Sequence, residues 1–257
     1  MQGNARHNAR AVMPWTHFTR RYVLQFEGGY RYLDHCGEFM LEAEETLDLI
    51  PTQEPKPTGA RLERPEIGVT VTLDANQLMV VQEFSGSADE PFVDLSESIS
   101  ALATRHIEPR ALRSRSFRLS SFLPMGTLEE AMHYVLSVGS EHQTGLGRVL
   151  QMSPGNKRID YVFTSGNLDV NVVLSATTFE SIVVRRLAAG VRASERQKKH
   201  VRRVNLGADR LQLPSQYAAM LEIAATEYEP PSGDLPQLFT RLQKLEVATK
   251  ETLPKHA

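Results

Sequence analysis

The residues best suited to act together chemically are the cations of Arg192 to Asn205, which reads RASERQKKHVRRVN. From Arg185 to Arg203 the chain has eight lysines and arginines against one acid, Glu195. Ser194 and Gln197 have the spacing of a capping box, which predicts a helix that gathers these cations on adjoining faces. The predicted binding residues are Arg192, Arg196, Lys198, Lys199, Arg202 and Arg203.

This density of positive charge has two interpretations. It suits nucleic-acid phosphates, but single-strand recognition also uses aromatic side chains, and none lies between Phe179 and Tyr217. We therefore favour a solvated helix, or a helix paired with an acidic one of the same or a neighbouring subunit. A second basic cluster contains Arg110, Arg113, Arg115 and Arg118. It would extend the first basic surface if the fold brings the two clusters together.

An acidic segment opposes the basic one. From Tyr32 to Pro55 the chain has seven acids and neither lysine nor arginine. Glu38, Glu42 and Glu45 lie one helical turn apart, a spacing compatible with a divalent-metal or acid–base cluster. Because they lie opposite a predicted apolar stripe, we favour a solvated helix surface. Oppositely charged segments suit contacts within the fold, between subunits or with other molecules.

No catalytic residue, metal ligand or cofactor is predicted. The eight histidines are scattered, without HExxH or HxH spacing, and no GxSxG or Cys-x-x-Cys motif is present. Cys36 falls on a predicted buried stripe, where a thiol behaves as a small hydrophobe rather than a nucleophile. His106 is expected at the core boundary of a helix. The GLGR run at Gly145 lacks the other glycines of a phosphate loop.

Composition bounds the class of protein. Hydrophobic residues make up 41% and charged residues 23% of the 257 residues, as in soluble globular proteins. A single cysteine suits a reducing compartment, and no stretch approaches the ~20 apolar residues that span a bilayer. We therefore expect a cytoplasmic protein without a membrane partner. Residues 1–15 are expected to form a disordered tail, with Met13 as an alternative start.

The elements that position these residues follow from hydrophobic periodicity. The first helix is predicted to bury Leu33, Cys36, Met40, Ala43, Leu47 and Ile50. Strands are predicted at Arg20 to Phe26, Arg113 to Leu123, Phe179 to Arg186 and Tyr217 to Tyr228, and hairpins at Val69 to Phe84 and Ile159 to Leu174. Further helices are predicted around Leu95 to His106, Thr127 to Val135 and Leu235 to Leu245, whereas PTQEPKPTGA is predicted to be a loop.

This order predicts an α+β fold of mostly antiparallel sheets with helices packed on one side. Residues 16–257 are expected to form a single domain, in which Ser140 to Lys157 is a candidate boundary between two subdomains. A strand–strand–helix–strand unit is predicted twice, from Ile67 to Leu123 and from Ile159 onwards.

Two blocks carry a resemblance to a known family. The first is VTVTLDANQLMVVQEF with the following helix and RSRSFRLSSFLP, and the second is MLEIAATEYEPPSGDLPQLFTRLQKLEVATKETL. Together they cover a little over a third of the chain and resemble a sporadically distributed family of uncharacterised bacterial proteins. The family tends to have an Arg-Tyr-Asn-like run where this chain has Arg118-Leu-Ser120. The resemblance implies a similar arrangement of elements and no particular activity.

These observations predict a non-enzymatic module that acts through protein contacts or self-association. The sequence contains no recognisable set of catalytic residues. Its oppositely charged segments and amphipathic helices are suited to docking. The alternative is a nucleic-acid-associated protein that uses the basic segment 185–203.

Overall fold

The computed structural model describes residues 15–29, 31–52, 56, 59–64, 67–83, 92–138, 158–178, 216–228 and 234–254. The strands are β1 (Thr16–Glu27), β2 (Ile50–Pro51), β3 (Ala60–Arg64), β4 (Val69–Leu73), β5 (Gln77–Glu83), β6 (Ala111–Met125), β7 (Arg158–Ser165), β8 (Leu168–Thr178) and β9 (Tyr217–Tyr228). The helices are α1 (Tyr32–Leu47), α2 (Phe92–Ile107), α3 (Leu128–Val138) and α4 (Leu235–Thr252). The fold is α+β with helices on one side of an antiparallel sheet, as the sequence predicts.

The sheet order is symmetric about its centre. The nine strands run β2-β3-β4-β5-β1-β6-β9-β8-β7, with antiparallel neighbours throughout. Outward from the β1–β6 pair, β5, β4 and β3 on one side correspond to β9, β8 and β7 on the other. Among the described residues, the second half has one strand, one helix, three strands and one helix, and the first half has the same order with the short strand β2 added before β3. The division falls between α2 and β6. The predicted strand–strand–helix–strand unit is present as β4, β5, α2 and β6.

The helices of the two halves bury residues at the same spacing. Buried positions of α1 include Cys36, Phe39 and Met40, and those of α3 are Ala131, Tyr134 and Val135. Buried positions of α2 include Phe92, Ser96, Ile99 and Ala103, and those of α4 include Leu235, Phe239, Leu242 and Glu246. The two halves therefore share the order of their strands in the sheet and the spacing of these buried helical positions.

An aromatic cluster joins the two halves on the helix-bearing face. Tyr22 of β1 lies opposite Phe117 of β6, with ring centroids 4.9 Å apart. Phe117 also contacts Phe92 of α2 at 6.3 Å and Phe239 of α4 at 5.2 Å. Offset aromatic pairs each add about 0.5–1.5 kcal/mol beyond their buried area, so this cluster fixes α2 and α4 over the central strands.

The first helix buries Cys36, Met40 and Ala43 as the sequence predicts, but the predicted stripe is wrong at its two ends. Leu33 is 64% exposed, and Tyr32 and Phe39 are buried instead. The helix also ends earlier than the stripe implied, because Asp48 takes a left-handed conformation with φ of 53° and caps it. Ile50 therefore belongs to β2 and is exposed.

Two strands that the sequence does not predict, β2 and β3, lie at the two ends of the proline-rich segment. β3 begins at Ala60, the last residue of the predicted loop, and buries Ala60 and Leu62 against β4. Arg61 and Glu63 point to the other face and form an ion pair at 2.6 Å. Only Ala60 and Leu62 are apolar among the five residues of β3, so the alternation is a weak signal beside the preceding prolines.

The capping of α3 by Thr127 is confirmed, whereas Glu130 binds the residue before the cap rather than the cap itself. The Thr127 hydroxyl oxygen accepts a hydrogen bond from the Glu130 amide at 3.1 Å, and the Glu130 carboxylate accepts one from the Gly126 amide at 2.8 Å. These bonds satisfy two donors at the start of the helix.

Several predictions from the sequence fall outside the described residues. They are the tail as far as residue 14, the candidate boundary Ser140 to Lys157, the strand Phe179 to Arg186 and the basic segment after it. The prediction of a disordered tail is wrong at its last residue, because Trp15 lies edge-on to Tyr134 with ring centroids 6.4 Å apart.

Glu246 is a buried carboxylate that connects α4 to the central strands. It accepts hydrogen bonds from the Ser121 hydroxyl at 2.5 Å and from the Lys250 ammonium at 2.8 Å, and His17 Nδ1 lies 3.4 Å away. Burial opposes its ionisation, but the hydrogen bonds from His17, Lys250 and Ser121 outweigh burial and lower the pKa of Glu246 to about 2. The corresponding position of α2 is Ala103, so the charge is specific to the second half.

We expect Glu246→Gln to lower the free energy of unfolding by about 1–3 kcal/mol at neutral pH, because the charged partners lose their carboxylate. The folded pKa of Glu246 lies below its ordinary value of 4.5. Its stabilisation is therefore full above pH 4.5 and is lost as the pH falls towards 2. Urea unfolding should show the gap between wild type and variant closing over that interval, with exposed Glu251→Gln as the control. A gap independent of pH would contradict this assignment.

Candidate interaction surface

The six predicted binding cations, Arg192, Arg196, Lys198, Lys199, Arg202 and Arg203, lie outside the described residues. The second basic cluster lies on β6 or just before it, and the fold separates its members. Arg115 forms a buried ion pair with Glu227 at 2.6 Å, whereas Arg118 is half-exposed and lies on the opposite face. Arg113 pairs with Glu27. These arginines therefore do not form one basic surface.

The outer face of the sheet places two arginines side by side. Arg118 of β6 lies directly opposite Arg21 of β1, with Glu222 3.8 Å from Arg118. Burial, and then the charge of Arg118, lower the pKa of Arg21, while Glu222 acts in the opposite direction. Because Glu222 partly neutralises the two arginines, the pair is a weak centre of positive charge rather than an extended basic patch.

The acidic helix binds its own neighbours. Glu38 accepts a hydrogen bond from His35 at 2.8 Å, and Glu42 contacts Arg105 and also His106, at 2.8 Å. The bond from His35 lowers the pKa of Glu38, and the bonds from His106 and Arg105 lower the pKa of Glu42. Among the described residues, no group of three or more histidines, cysteines or acids is arranged to hold a metal ion.

Cys36 and His106 lie where the sequence analysis expects them. Cys36 is buried, and burial raises the pKa of its thiol, which disfavours the nucleophilic thiolate. His106 is mostly buried at the core boundary, where its ring lies edge-on to Phe39 and its Nε2 contacts Glu42.

Ser121, His17 and Glu246 have the residue types of a nucleophilic triad, but not its geometry. In such a triad, the histidine faces the nucleophile with one ring nitrogen and the acid with the other. Here His17 Nδ1 lies 3.4 Å from both Ser121 Oγ and Glu246 Oε1, and the fully buried Ser121 hydroxyl already donates to the acid. The arrangement is therefore structural. Sequence spacing gave no signal for it, because the three residues come from distant parts of the chain.

The most exposed strand of the sheet is β7. All of its residues except Ile159 are exposed, including Tyr161 at 46%, Val162 at 64% and Phe163 at 59%. The Tyr161 and Phe163 rings are stacked with centroids 6.4 Å apart on the helix-bearing face, and Val162 points to the other face. The alternating sequence predicted a half-buried strand, but in the described structure only the first of its three inward positions is covered.

The β7–β8 turn determines which backbone groups face the free edge. Gly166 and Asn167 form a two-residue turn, with a φ of 62° at Gly166, and pair Ser165 with Leu168. The residues that flank such a turn are a hydrogen-bonded pair, and the pattern then alternates along the hairpin. Tyr161 and Phe163 therefore direct their backbone groups to β8. The four residues that direct theirs outward are Arg158, Asp160, Val162 and Thr164.

The two edges of the sheet differ in how they are protected. The β2 edge is only two residues long and contains Pro51, which has no backbone N–H. On β7, the charges of Arg158 and Asp160 neutralise each other through a contact of 2.8 Å, and no proline is present. Among the described residues, β7 pairs with β8 alone. Its outer edge is therefore a candidate site for another strand.

No family model matches the sequence, and no curated protein matches it. The resemblance to a family of bacterial proteins therefore stays a prediction. In the described ranges, no helix is long and apolar enough to cross a bilayer.

We expect Glu42→Gln to cause a small fall in melting temperature, on the order of 1–2 °C, because its contacts with Arg105 and His106 lie near the surface. Thermal unfolding in low and high salt would measure it, and the fall should shrink in high salt because exposed charges are screened. Glu45→Gln, on the exposed side of the same helix, is the control. A large fall that salt does not change would show that Glu42 has a structural role beyond these contacts.

Proposed function

We propose that the protein is a non-enzymatic interaction module that binds a protein strand along the free edge of β7. The observation that carries this proposal is that, in the part of the chain that the structure describes, β7 pairs only with β8 and its aromatic side chains are exposed. Monomeric proteins rarely leave a long apolar edge without protection, since it pairs readily with other strands.

An added strand would gain affinity and specificity from different parts of β7. The outward N–H and C=O groups of Asp160, Val162 and Thr164 would form the ladder of backbone hydrogen bonds. Tyr161 and Phe163 would contact alternate side chains of the incoming strand on the helix-bearing face. Exposed aromatic residues are frequent anchors of protein interfaces, because they bury large areas with few rotatable bonds.

The ionisable residues support a binding role over a catalytic one. Glu246 binds Ser121 and Lys250, and Arg115 is paired with Glu227, so these buried charges are used to hold elements together. Nucleic-acid binding through Arg192 to Arg203 is the alternative function, and it depends on residues outside the described ranges. The arginines of β6 do not extend that segment into a larger surface.

We expect the double variant Tyr161→Lys, Phe163→Lys to weaken association at least about tenfold, because it removes both aromatic contacts and places two cations on the edge. Loss of the contact between the two stacked rings predicts a fall in unfolding free energy of about 0.5–1.5 kcal/mol. Sedimentation velocity over a range of concentrations, together with co-purification under native conditions, measures the effect. Val247→Lys changes another exposed apolar residue, on α4, and is the control.

Unchanged association of the double variant would contradict the assignment of β7. A strictly monomeric wild-type protein without any co-purifying protein would contradict the proposed function itself.

A further inference from the structure

We infer that the strand that pairs with β7 is β7 of a second copy of the chain, in an antiparallel two-fold dimer with Val162 on the axis. This inference rests on the proposed function and names its partner. It joins the two sheets into one that continues through both copies, with the helices of both on the same side.

The backbone geometry restricts the possible registers. The outward-facing residues of one copy must lie opposite outward-facing residues of the other, which are the even-numbered positions from Arg158 to Thr164. A two-fold axis must therefore pass through a residue rather than between two residues. The axes that keep most of the eight-residue strand paired pass through Tyr161 or Val162.

The side chains favour the axis at Val162. In that register, Tyr161 lies opposite Phe163 of the second copy, and Phe163 lies opposite Tyr161 of the second copy. All four rings then share the helix-bearing face, where the two rings of one copy are already stacked. An axis at Tyr161 would instead place Phe163 opposite Ile159, which is buried in its own chain, and Asp160 opposite Val162. Cross-strand aromatic pairs are among the favourable pairs in antiparallel sheets.

The charges of β7 also permit self-pairing. Arg158 and Asp160 neutralise each other within one copy. With the axis at Val162, Asp160 lies opposite Thr164, so no like charges face each other across the dimer. Because β7 has no net charge, it does not select a strongly acidic or strongly basic partner. A second copy of β7 is complementary to the first in this register.

The same mode of assembly already exists inside the chain. The two halves meet through antiparallel pairing of β1 with β6, with Tyr22 opposite Phe117 on the helix-bearing face. Pairing of β7 with its copy repeats that arrangement at the outer edge of the second half. The β2 edge does not offer it, because Pro51 interrupts the row of donors.

Cysteine cross-linking tests the dimer and its axis together. The native Cys36 is 5% exposed, so Val162→Cys adds a single accessible thiol. Directly opposed residues of a hydrogen-bonded pair lie about 5.5 Å apart between Cα atoms, within the range that a disulfide spans. We expect mild oxidation to convert most of the full-length variant to a covalent dimer. Val247→Cys, 55% exposed on α4, should give little under the same conditions.

Sedimentation of the wild-type chain provides a second measurement that needs no substitution at the axis. We expect a dimer whose dissociation constant rises at least tenfold in the Tyr161→Lys, Phe163→Lys variant. Equal cross-linking of Val162→Cys and Val247→Cys, or a wild-type monomer at all concentrations, would overturn the inference. If such a monomer still binds a different protein, and that binding requires Tyr161 and Phe163, the proposed function stands and only the identity of the partner is wrong.

Discussion

The constraint on which the structure depends is that every backbone N–H and C=O group of a strand must find a partner. In an antiparallel sheet, the backbone groups of the inner strands bind each other, whereas the outward groups of the edge strands have no partner within the sheet. Here the β2 edge is short and contains Pro51, whereas the β7 edge presents a row of outward backbone groups beside exposed aromatic side chains. The location of the candidate interaction surface follows from this difference.

The difference between the two edges is a departure from the symmetric order of the sheet. In the described residues, two units with the same order of elements, apart from β2, meet at the β1–β6 pair, so each unit contributes one outer edge. The first unit adds β2 beyond β3, and β7 ends the described sheet in the second. The units also differ in their last helices, where Glu246 takes the position that corresponds to Ala103. The two units thus differ in their outer edges and in their internal contacts.

Local sequence patterns predicted most of the elements, because period-two alternation, the turn residues and the capping box at Thr127 act over short distances. The contacts that depend on distant parts of the chain were not predictable. Periodicity assigned Tyr161 and Phe163 to a face that could be covered, but only the tertiary structure shows that their side chains are exposed. The Glu246 site joins His17 and Ser121 across three elements, and no spacing indicates it. The basic segment, the strongest sequence signal, lies outside the described residues.

The most direct test of an open β7 edge is amide hydrogen exchange, resolved by residue and followed against protein concentration. In dilute protein, the amides of Asp160, Val162 and Thr164 should exchange much faster than those of Tyr161 and Phe163, whose N–H groups point to β8. Raising the concentration should slow the three fast amides as strands pair. If these amides are protected equally at every concentration, the edge is covered within a single chain, and the account is wrong.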